Sequence, residues 1–180
     1  MDFSQLVQQR ESVRRYDPRP VEEEKIERIM ASCRLAPSAC NSQPWRFVVV
    51  TDPDLKDQVA KTAYSHVLRF NRFAPQAPVM VALVAETPNW LSKMGGTVKN
   101  KEYYLMDIGI VADHFCLQAA ELGLGTCMLG WFDENKVREL LHIPEKRRVP
   151  LLFTLGYPEK EEPRKKIRKP DDEVFGYNRY

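Results

Sequence analysis

Two clusters of basic residues lie near opposite ends of the chain. Near the N-terminus, Arg10 and Arg14 flank Ser12. The second cluster, called the tail cluster here, comprises Arg164, Lys165, Lys166, Arg168 and Lys169. Guanidinium forks, ammonium groups and a hydroxyl are donors that suit phosphate oxygens. If the two clusters meet in space they form a phosphate pocket, whereas each cluster taken alone is more typical of solvated surface charge.

A stiff loop at residues 36–45 carries a second set of polar groups. Pro37 and Pro44 fix their own φ angles and bias the preceding residues toward extended geometry. Ser38 and Asn41 add a hydroxyl and a carboxamide between the two prolines. Such a loop suits a flat heterocycle with alternating donors and acceptors, although a rigid helix-to-strand connection would use the same residues.

The chain offers no evident nucleophile or acid–base pair of its own. Its four cysteines show no C-x-x-C spacing and it has three histidines, so we expect no zinc or other metal site. Cys116 and Cys127 lie in apolar patterns, which favours core thiols over nucleophiles. Asp107 is an acid in an apolar neighbourhood, and we interpret it as a structural cap or pair. Together with the basic clusters, this indicates a cofactor that brings its own chemistry.

Length and composition limit the possible classes of protein. With 180 residues, of which 43% are hydrophobic and 29% charged, the chain is most simply one domain spanning residues 1–180. No apolar run approaches the roughly 20 residues that span a bilayer, so we expect no membrane partner. The N-terminus lacks the features of a signal peptide, which predicts a cytoplasmic protein. A net charge of +2 argues against a nucleic-acid partner, and acids in the tail would weaken such binding further.

Hydrophobic periodicity predicts an α+β layered domain in which helices and strands do not alternate strictly. Helices are predicted at residues 3–9, 21–35, 52–64, 103–122 and 133–141, and strands at 45–50, 78–85, 126–131 and 149–155. The strand at 45–50 is nearly continuous in apolar character, which predicts burial on both faces. The helix at 103–122 is apolar almost all round, so the core or a partner chain must cover it.

Several motifs, taken in their order, make the chain resemble the nitroreductase family of FMN-dependent oxidoreductases. They are Arg10-x-Ser12-x-Arg14, the loop from Ala36-Pro37-Ser38 to Gln43-Pro44-Trp45, Gly123-Leu124-Gly125-Thr126, Gly130-Trp131-Phe132-Asp133, Leu155-Gly156-Tyr157-Pro158 and the basic tail. The resemblance extends from about residue 10 to residue 173. It rests on the order and spacing of the motifs, because any one of them alone is a weak signal.

The resemblance implies a nitroreductase-like three-layer fold with a central mixed sheet flanked by helices. It also implies an intertwined homodimer in which a C-terminal arm, residues 158–180, embraces the partner. Both subunits would then contact each FMN at the interface. The implied FMN-binding residues are Arg10, Glu11, Ser12, Arg14, Pro37, Ser38, Ala39, Asn41, Leu129, Gly130, Lys166 and Arg168.

The resemblance also implies a role for each group of these residues. The N-terminal and tail residues would hold the phosphate, and Arg14 would point toward the flavin pyrimidine and ribityl chain. Residues 37–41 would come from the partner subunit and pack against the ring system. The backbone around Leu129 and Gly130 would lie near flavin N5 and O4, and Asn71 is a candidate for an interfacial asparagine.

The activity implied by the resemblance is a ping-pong oxidoreduction. NADH or NADPH would pass a hydride to flavin N5, and a nitroaromatic, quinone or similar acceptor would then be reduced in the same place. Residues 87–100, which include Trp90 and Met94, are expected to contact the substrate. Two alternatives stay open: other flavin chemistry on the same fold, such as reductive dehalogenation, and a dimeric flavin-binding protein without turnover.

Overall fold

The computed structural model describes residues 1–64, 70–90, 101–160 and 162–180. Within these ranges the helices are α1 (Phe3–Gln9), α2 (Glu23–Arg34), α3 (Pro53–Thr62), α4 (Tyr103–Glu121) and α5 (Glu134–Leu140). The strands are β1 (Trp45–Val50), β2 (Val79–Ala85), β3 (Gly125–Leu129) and β4 (Arg148–Gly156). Each element lies close to its predicted position, and the α+β class is confirmed.

The four strands form one sheet in the order β1-β2-β4-β3, and every neighbouring pair is antiparallel. This differs from the predicted mixed sheet. In the described part of the chain, parallel pairing is confined to an isolated bridge between Ser12 and Thr126. The apolar pattern of a strand reports its burial and not the direction of its neighbours, so local sequence could not fix the pairing.

The burial of the strands follows their positions in the sheet. All seven residues of the central strand β2 are buried, as its continuous apolar run requires. β1 lies at an edge, and only Val50 is buried among its six residues. The prediction that β1 is buried on both faces is therefore wrong within one chain. Among the described residues, β1 pairs with β2 on one side and with no strand on the other.

Helices cover both faces of the sheet and give the predicted three layers. β2 divides its side chains with a period of two, so that Val81 lies in one core and Met80 in the other. Phe115 of α4 packs in the first core, while Val59 of α3 and Val137 of α5 pack in the second. Each such fully buried side chain contributes about 1.5–3 kcal/mol to folding.

The long helix α4 is only partly covered by its own chain. One face enters the first core, but Leu105, Met106 and Ile110 are 42%, 54% and 37% exposed. The described chain therefore leaves an apolar strip on this helix without an intrachain neighbour that buries it. In the described ranges, no helix is long and apolar enough to cross a membrane.

A glycine turn ends α4 and starts β3. Gly123 has a left-handed backbone with φ 75°, which a residue with a side chain adopts less readily. The backbone N–H of Leu124 donates to the carbonyl of Ala119 at 2.8 Å, and that of Gly123 donates to Ala120 at 3.0 Å. This pattern is a Schellman C-cap.

Candidate functional site

The structure brings the two basic clusters together on one cavity of about 420 Å³, called the cation cavity here. Its lining residues are Arg10, Glu11, Ser12, Arg14, Arg164, Lys165, Lys166, Ile167 and Arg168. Six of them carry a positive charge and Glu11 is the one acid among them. The predicted residues from both ends of the chain therefore line the same cavity. Their guanidinium, ammonium and hydroxyl donors are suited to binding an anion.

Two glycines allow the N-terminal segment, residues 12–16, to lie against the sheet. A Cβ added at Gly125 would lie 2.5 Å from the Val13 Cγ2 atom. A Cβ added at Gly156 would lie 2.5 Å from Pro78 Cδ and 3.0 Å from the Tyr16 ring. The Val13 N–H donates to the carbonyl of Thr126 at 2.8 Å, which adds the segment to β3. Close approach at glycine thus sets the position of Ser12 and Arg14.

A buried tyrosine anchors the other end of this segment. The Tyr16 hydroxyl donates to the carbonyl of Val13 at 3.0 Å and lies 2.6 Å from Thr154 Oγ1. Burial raises the pKa of Tyr16 far above its usual range, so the phenol stays protonated and can donate. The network satisfies two buried hydroxyls at once, which holds the segment in one place on the sheet.

The tail cluster is tied to the N-terminal cluster through Arg164. Its Nε donates to the Glu11 carboxylate at 2.8 Å, and its Nη2 donates to the carbonyl of Ser12 at 2.7 Å. Lys166 Nζ donates to the carbonyl of Arg10. Sequence reasoning named Arg164 within the cluster but missed this bridging role, because the pairing joins positions 153 residues apart.

The charges of the cation cavity are not balanced internally. Burial, followed by the neighbouring charges of Arg10 and Arg168, lowers the pKa of Lys166. The Arg168 guanidinium donates to the carbonyl of Ile167 at 2.8 Å. A bound anion would relieve this repulsion, since it favours the charged form of each cation. The cavity is therefore an electrostatically favourable place for a phosphate.

The buried cysteines beside the cation cavity behave as core thiols, as predicted. Cys116 and Cys127 are both buried and free. Burial raises the pKa of Cys116 to about 11. Burial also raises the pKa of Cys127, although Arg14 and the Ser12 hydroxyl oppose that shift. Both thiols are protonated near neutral pH and are poor nucleophiles.

The loop at residues 36–45 has a strained backbone held by side chains. Cys40, Asn41 and Gln43 have φ values of 52°, 50° and 46°, in the left-handed region that disfavours residues with a Cβ. The Ser38 hydroxyl accepts a hydrogen bond from the Gln43 N–H at 2.9 Å. Asp107 Oδ1 accepts one from the Ala39 N–H at 2.9 Å. The loop is thus built to keep one shape.

This loop and the cation cavity are separate features of one chain. The described residues that line the cavity do not include Pro37, Ser38, Ala39 or Asn41. Asp107 was predicted to be a structural cap or pair, and its bond to the Ala39 N–H agrees with that role, although the loop was not predicted as its partner. Asn89 was not predicted to bond the loop. Asn89 donates to the Ser42 hydroxyl at 2.7 Å and to the carbonyl of Cys40 at 3.0 Å. The signal available in the sequence was an acid placed in an apolar helix.

The end of β3 presents open backbone beside exposed aromatic rings. Leu129 is buried and Gly130 is exposed, and a Cβ added at Gly130 would meet no atom within 4 Å. Trp131 is 58% exposed and meets Phe70 edge-on with ring centroids 6.2 Å apart. Asn71, the candidate interfacial asparagine, donates to the carbonyl of Trp131 at 3.3 Å within its own chain. A flat group could approach the Gly130 backbone here.

The predicted substrate segment is described only in part. Trp90 is 72% exposed, whereas Met94 and the rest of residues 91–100 lie outside the described residues.

The sheet, its two helical layers and the cation cavity define a three-layer α+β protein with a cavity rich in cationic side chains. The family model described as the nitroreductase family matches residues 7–157, and the chain belongs to this family. An oxygen-insensitive NADPH nitroreductase of Helicobacter pylori is 29% identical over 84% of this chain and 85% of its own length.

Solved structures show the same fold. A nitroreductase family protein from Clostridium novyi NT is 31% identical with a TM-score of 0.78, covering 88% of this chain and 86% of its own. An FMN-dependent nitroreductase from Clostridium difficile R20291 has a TM-score of 0.78 at 24% identity, covering 97% and 98% of the two chains. At that identity the second likeness concerns the fold alone.

Proposed function

We propose that this protein is an FMN-dependent NAD(P)H oxidoreductase whose cation cavity holds the FMN phosphate. The observation that carries the proposal is the convergence of six cationic side chains and the Ser12 hydroxyl on one cavity with a single acid. A phosphate dianion suits this donor set in charge and in geometry. Membership of the nitroreductase family supports FMN as the phosphate-bearing cofactor.

In this proposal each group of residues contacts a different part of the cofactor. Arg10, Ser12, Lys166 and Arg168 hold the phosphate, and the Glu11 backbone lies alongside them. Arg14 extends toward the flavin pyrimidine and ribityl chain, where its charge would stabilise negative charge on the ring. The open backbone at Leu129 and Gly130 faces the redox-active edge of the ring.

The remaining wall of the site comes from a second copy of the chain. Pro37, Ser38, Ala39 and Asn41 would be the partner's contribution, because these residues line no part of the cation cavity within their own chain. Their hydrogen-bonded, left-handed backbone suits a preformed surface against a flat ring. The site is therefore proposed to be complete only in a homodimer.

Exposed apolar surface supports this homodimer. The strip at Leu105, Met106 and Ile110 on α4 is too apolar to favour contact with water. The C-terminal arm is also exposed, with Ile167 at 90% and Tyr177 at 85%.

A groove beside the unpaired edge of β1 would accept the partner's arm. The groove, of about 730 Å³, includes Ile26, Met30 and Val49 together with the acids Glu23 and Glu27. Arg34 also lines the groove, so two acids face one base there. The apolar side chains and the excess of acid complement a basic arm that carries apolar side chains.

Catalysis in this proposal depends on orientation and charge. When bound, FMN supplies two-electron redox chemistry in two half-reactions, first with NADH or NADPH and then with a nitroaromatic, quinone or similar acceptor. The chain binds the phosphate, orients the ring against the Gly130 backbone and places the Arg14 charge beside the pyrimidine. The four cysteines are unpaired, which supports a reducing compartment such as the cytoplasm as the place of action.

Reconstitution with FMN tests the proposal. We expect a yellow protein whose flavin is reduced anaerobically by NADH or NADPH and reoxidised by a quinone. Arg10→Ala and Arg168→Ala should each weaken FMN affinity by about tenfold or more, because each removes a charge-assisted contact. Arg28→Ala, which changes an exposed arginine on α2 paired with Glu121, is the matched control.

Two results would contradict the proposal in different ways. A colourless protein that cannot be loaded with FMN would remove the cofactor assignment. Tight FMN binding without reduction by either nicotinamide would favour a flavin-binding protein without turnover.

A further inference from the structure

Asp107 is a buried carboxylate that the proposed chemistry does not use. The residue is 3% exposed on the core side of α4. Its Oδ1 accepts the Ala39 N–H at 2.9 Å, whereas its Oδ2 has no hydrogen-bond partner among the described residues. A buried carboxylate with an unsatisfied oxygen is unfavourable for folding. The unsatisfied Oδ2 therefore does not stabilise the fold, and the contribution of Asp107 lies in the bond that its Oδ1 makes.

The contact made by Asp107 lies at the start of a strained turn. Ala39 is the first residue of the 3-10 turn Ala39–Asn41, and the next two residues have left-handed backbones with φ 52° and 50°. Such conformations persist only where surrounding contacts determine them. α4 supplies one of these contacts, and its neighbouring residues Ile108 and Val111 fix the helix in the first core.

We propose that Asp107 is the positioning residue for the loop at residues 36–45, called the ring-facing loop here, an inference that rests on the proposed function. Its carboxylate fastens Ala39 to α4 and so sets the direction in which the Ser38 and Asn41 groups face the partner's flavin. The unsatisfied oxygen lowers the stability of the fold, and the bond that the other oxygen makes fixes the geometry of the site. A leucine at this position would pack in the core without an unsatisfied oxygen, but it could not hold the Ala39 N–H in place.

The test compares Asp107→Leu with Asp107→Asn in the FMN-loaded protein. Leucine has a similar volume but no acceptor, and it removes a buried oxygen that has no hydrogen-bond partner among the described residues. We expect Asp107→Leu to keep or raise the Tm while kcat/KM for a quinone falls about 10- to 100-fold through misplacement of the loop. The absorbance bands of its bound flavin should shift, and Asp107→Asn, which keeps the acceptor, should restore most of the activity.

A second measurement needs no flavin. Cys40 lies in the loop and is exposed, whereas Cys33, Cys116 and Cys127 are buried. The rate at which DTNB modifies Cys40 therefore reports on the loop in the unloaded protein. The rate should rise in Asp107→Leu, stay near the wild-type value in Asp107→Asn, and stay unchanged in Asp54→Asn, which makes the same chemical change on the exposed start of α3.

Two results would overturn this inference. One is an Asp107→Leu protein with wild-type Cys40 reactivity and flavin spectrum. The other is a clear fall in the Tm of that variant, because Asp107 would then serve the fold. If wild-type protein binds no FMN, the proposed function fails, and the Cys40 rates still decide whether Asp107 holds the loop.

Discussion

Lys166 shares the cation cavity with Arg10 and Arg168. Burial and then repulsion by these guanidinium groups lower the pKa of its ammonium. A phosphate dianion at the same place favours the charged form and raises that pKa again. Phosphate binding and protonation of Lys166 are therefore linked: bound phosphate promotes protonation, and loss of the proton weakens binding.

The linkage predicts that FMN affinity falls as the pH rises through the lowered pKa of Lys166. The Lys166 side chain is a charged ammonium below its pKa and a neutral amine above it. The FMN phosphate, with a second pKa of about 6, stays a dianion over the same pH range. Fluorescence titrations of FMN between about pH 7 and pH 10 would measure the fall. Lys166→Arg should flatten the profile, because arginine stays charged over this range. A flat wild-type profile would contradict the linkage.

The N-terminal segment illustrates how one glycine positions an element. At Gly125, a Cβ would lie within 3.0 Å of three Val13 side-chain atoms. We expect Gly125→Ala to lower the free energy of unfolding by about 1–3 kcal/mol, because overpacking forces the segment away from β3. FMN affinity should also fall, since Ser12 and Arg14 move with the segment. Urea denaturation and FMN titration would measure the two effects.

A double-mutant cycle separates this clash from a general loss of packing. Val13→Gly removes the three atoms that lie nearest to a Cβ added at Gly125. The double variant should therefore be more stable than the sum of the two single changes allows, by an interaction energy of about 0.5–3 kcal/mol. Additive losses would show that the close approach does not position the segment.

Local signals in the sequence predicted where helices and strands lie, but they did not predict which distant residues pair. Asp52 and Pro53 mark the start of α3 in the sequence, and the Asp52 side chain does accept the Leu55 N–H at 2.8 Å. The antiparallel pairing of β1, the bridge from Arg164 to Glu11 and the contact from Asp107 to Ala39 join distant positions. Periodicity and motif spacing report local structure, so these long-range pairings could only be found in the folded chain.

At the scale of the whole molecule, exposed apolar surface supports a dimer in which the cation cavity of one chain would meet the ring-facing loop of the other. One chain holds both features, but the loop does not line its own chain's cavity. The exposed strip on α4, the unpaired edge of β1 and the uncovered arm lie on the surface of the single chain. In the proposed homodimer a second copy covers them and brings its loop to the cavity, so we expect assembly and cofactor binding to be lost together.

Ile110→Glu on α4 tests this coupling directly. Ile110 is 37% exposed in one chain, and a glutamate there would be buried without a partner in the proposed interface, at a cost of about 3–5 kcal/mol. We expect sedimentation equilibrium to show a monomer and fluorescence titration to show FMN affinity reduced at least about tenfold, because each cavity loses the loop of its partner.

Gln58→Glu adds the same charge to an exposed position on α3 and should leave both properties unchanged. An Ile110→Glu protein that stays dimeric would place the interface elsewhere, and a monomer with wild-type FMN affinity would show that one chain builds the site alone.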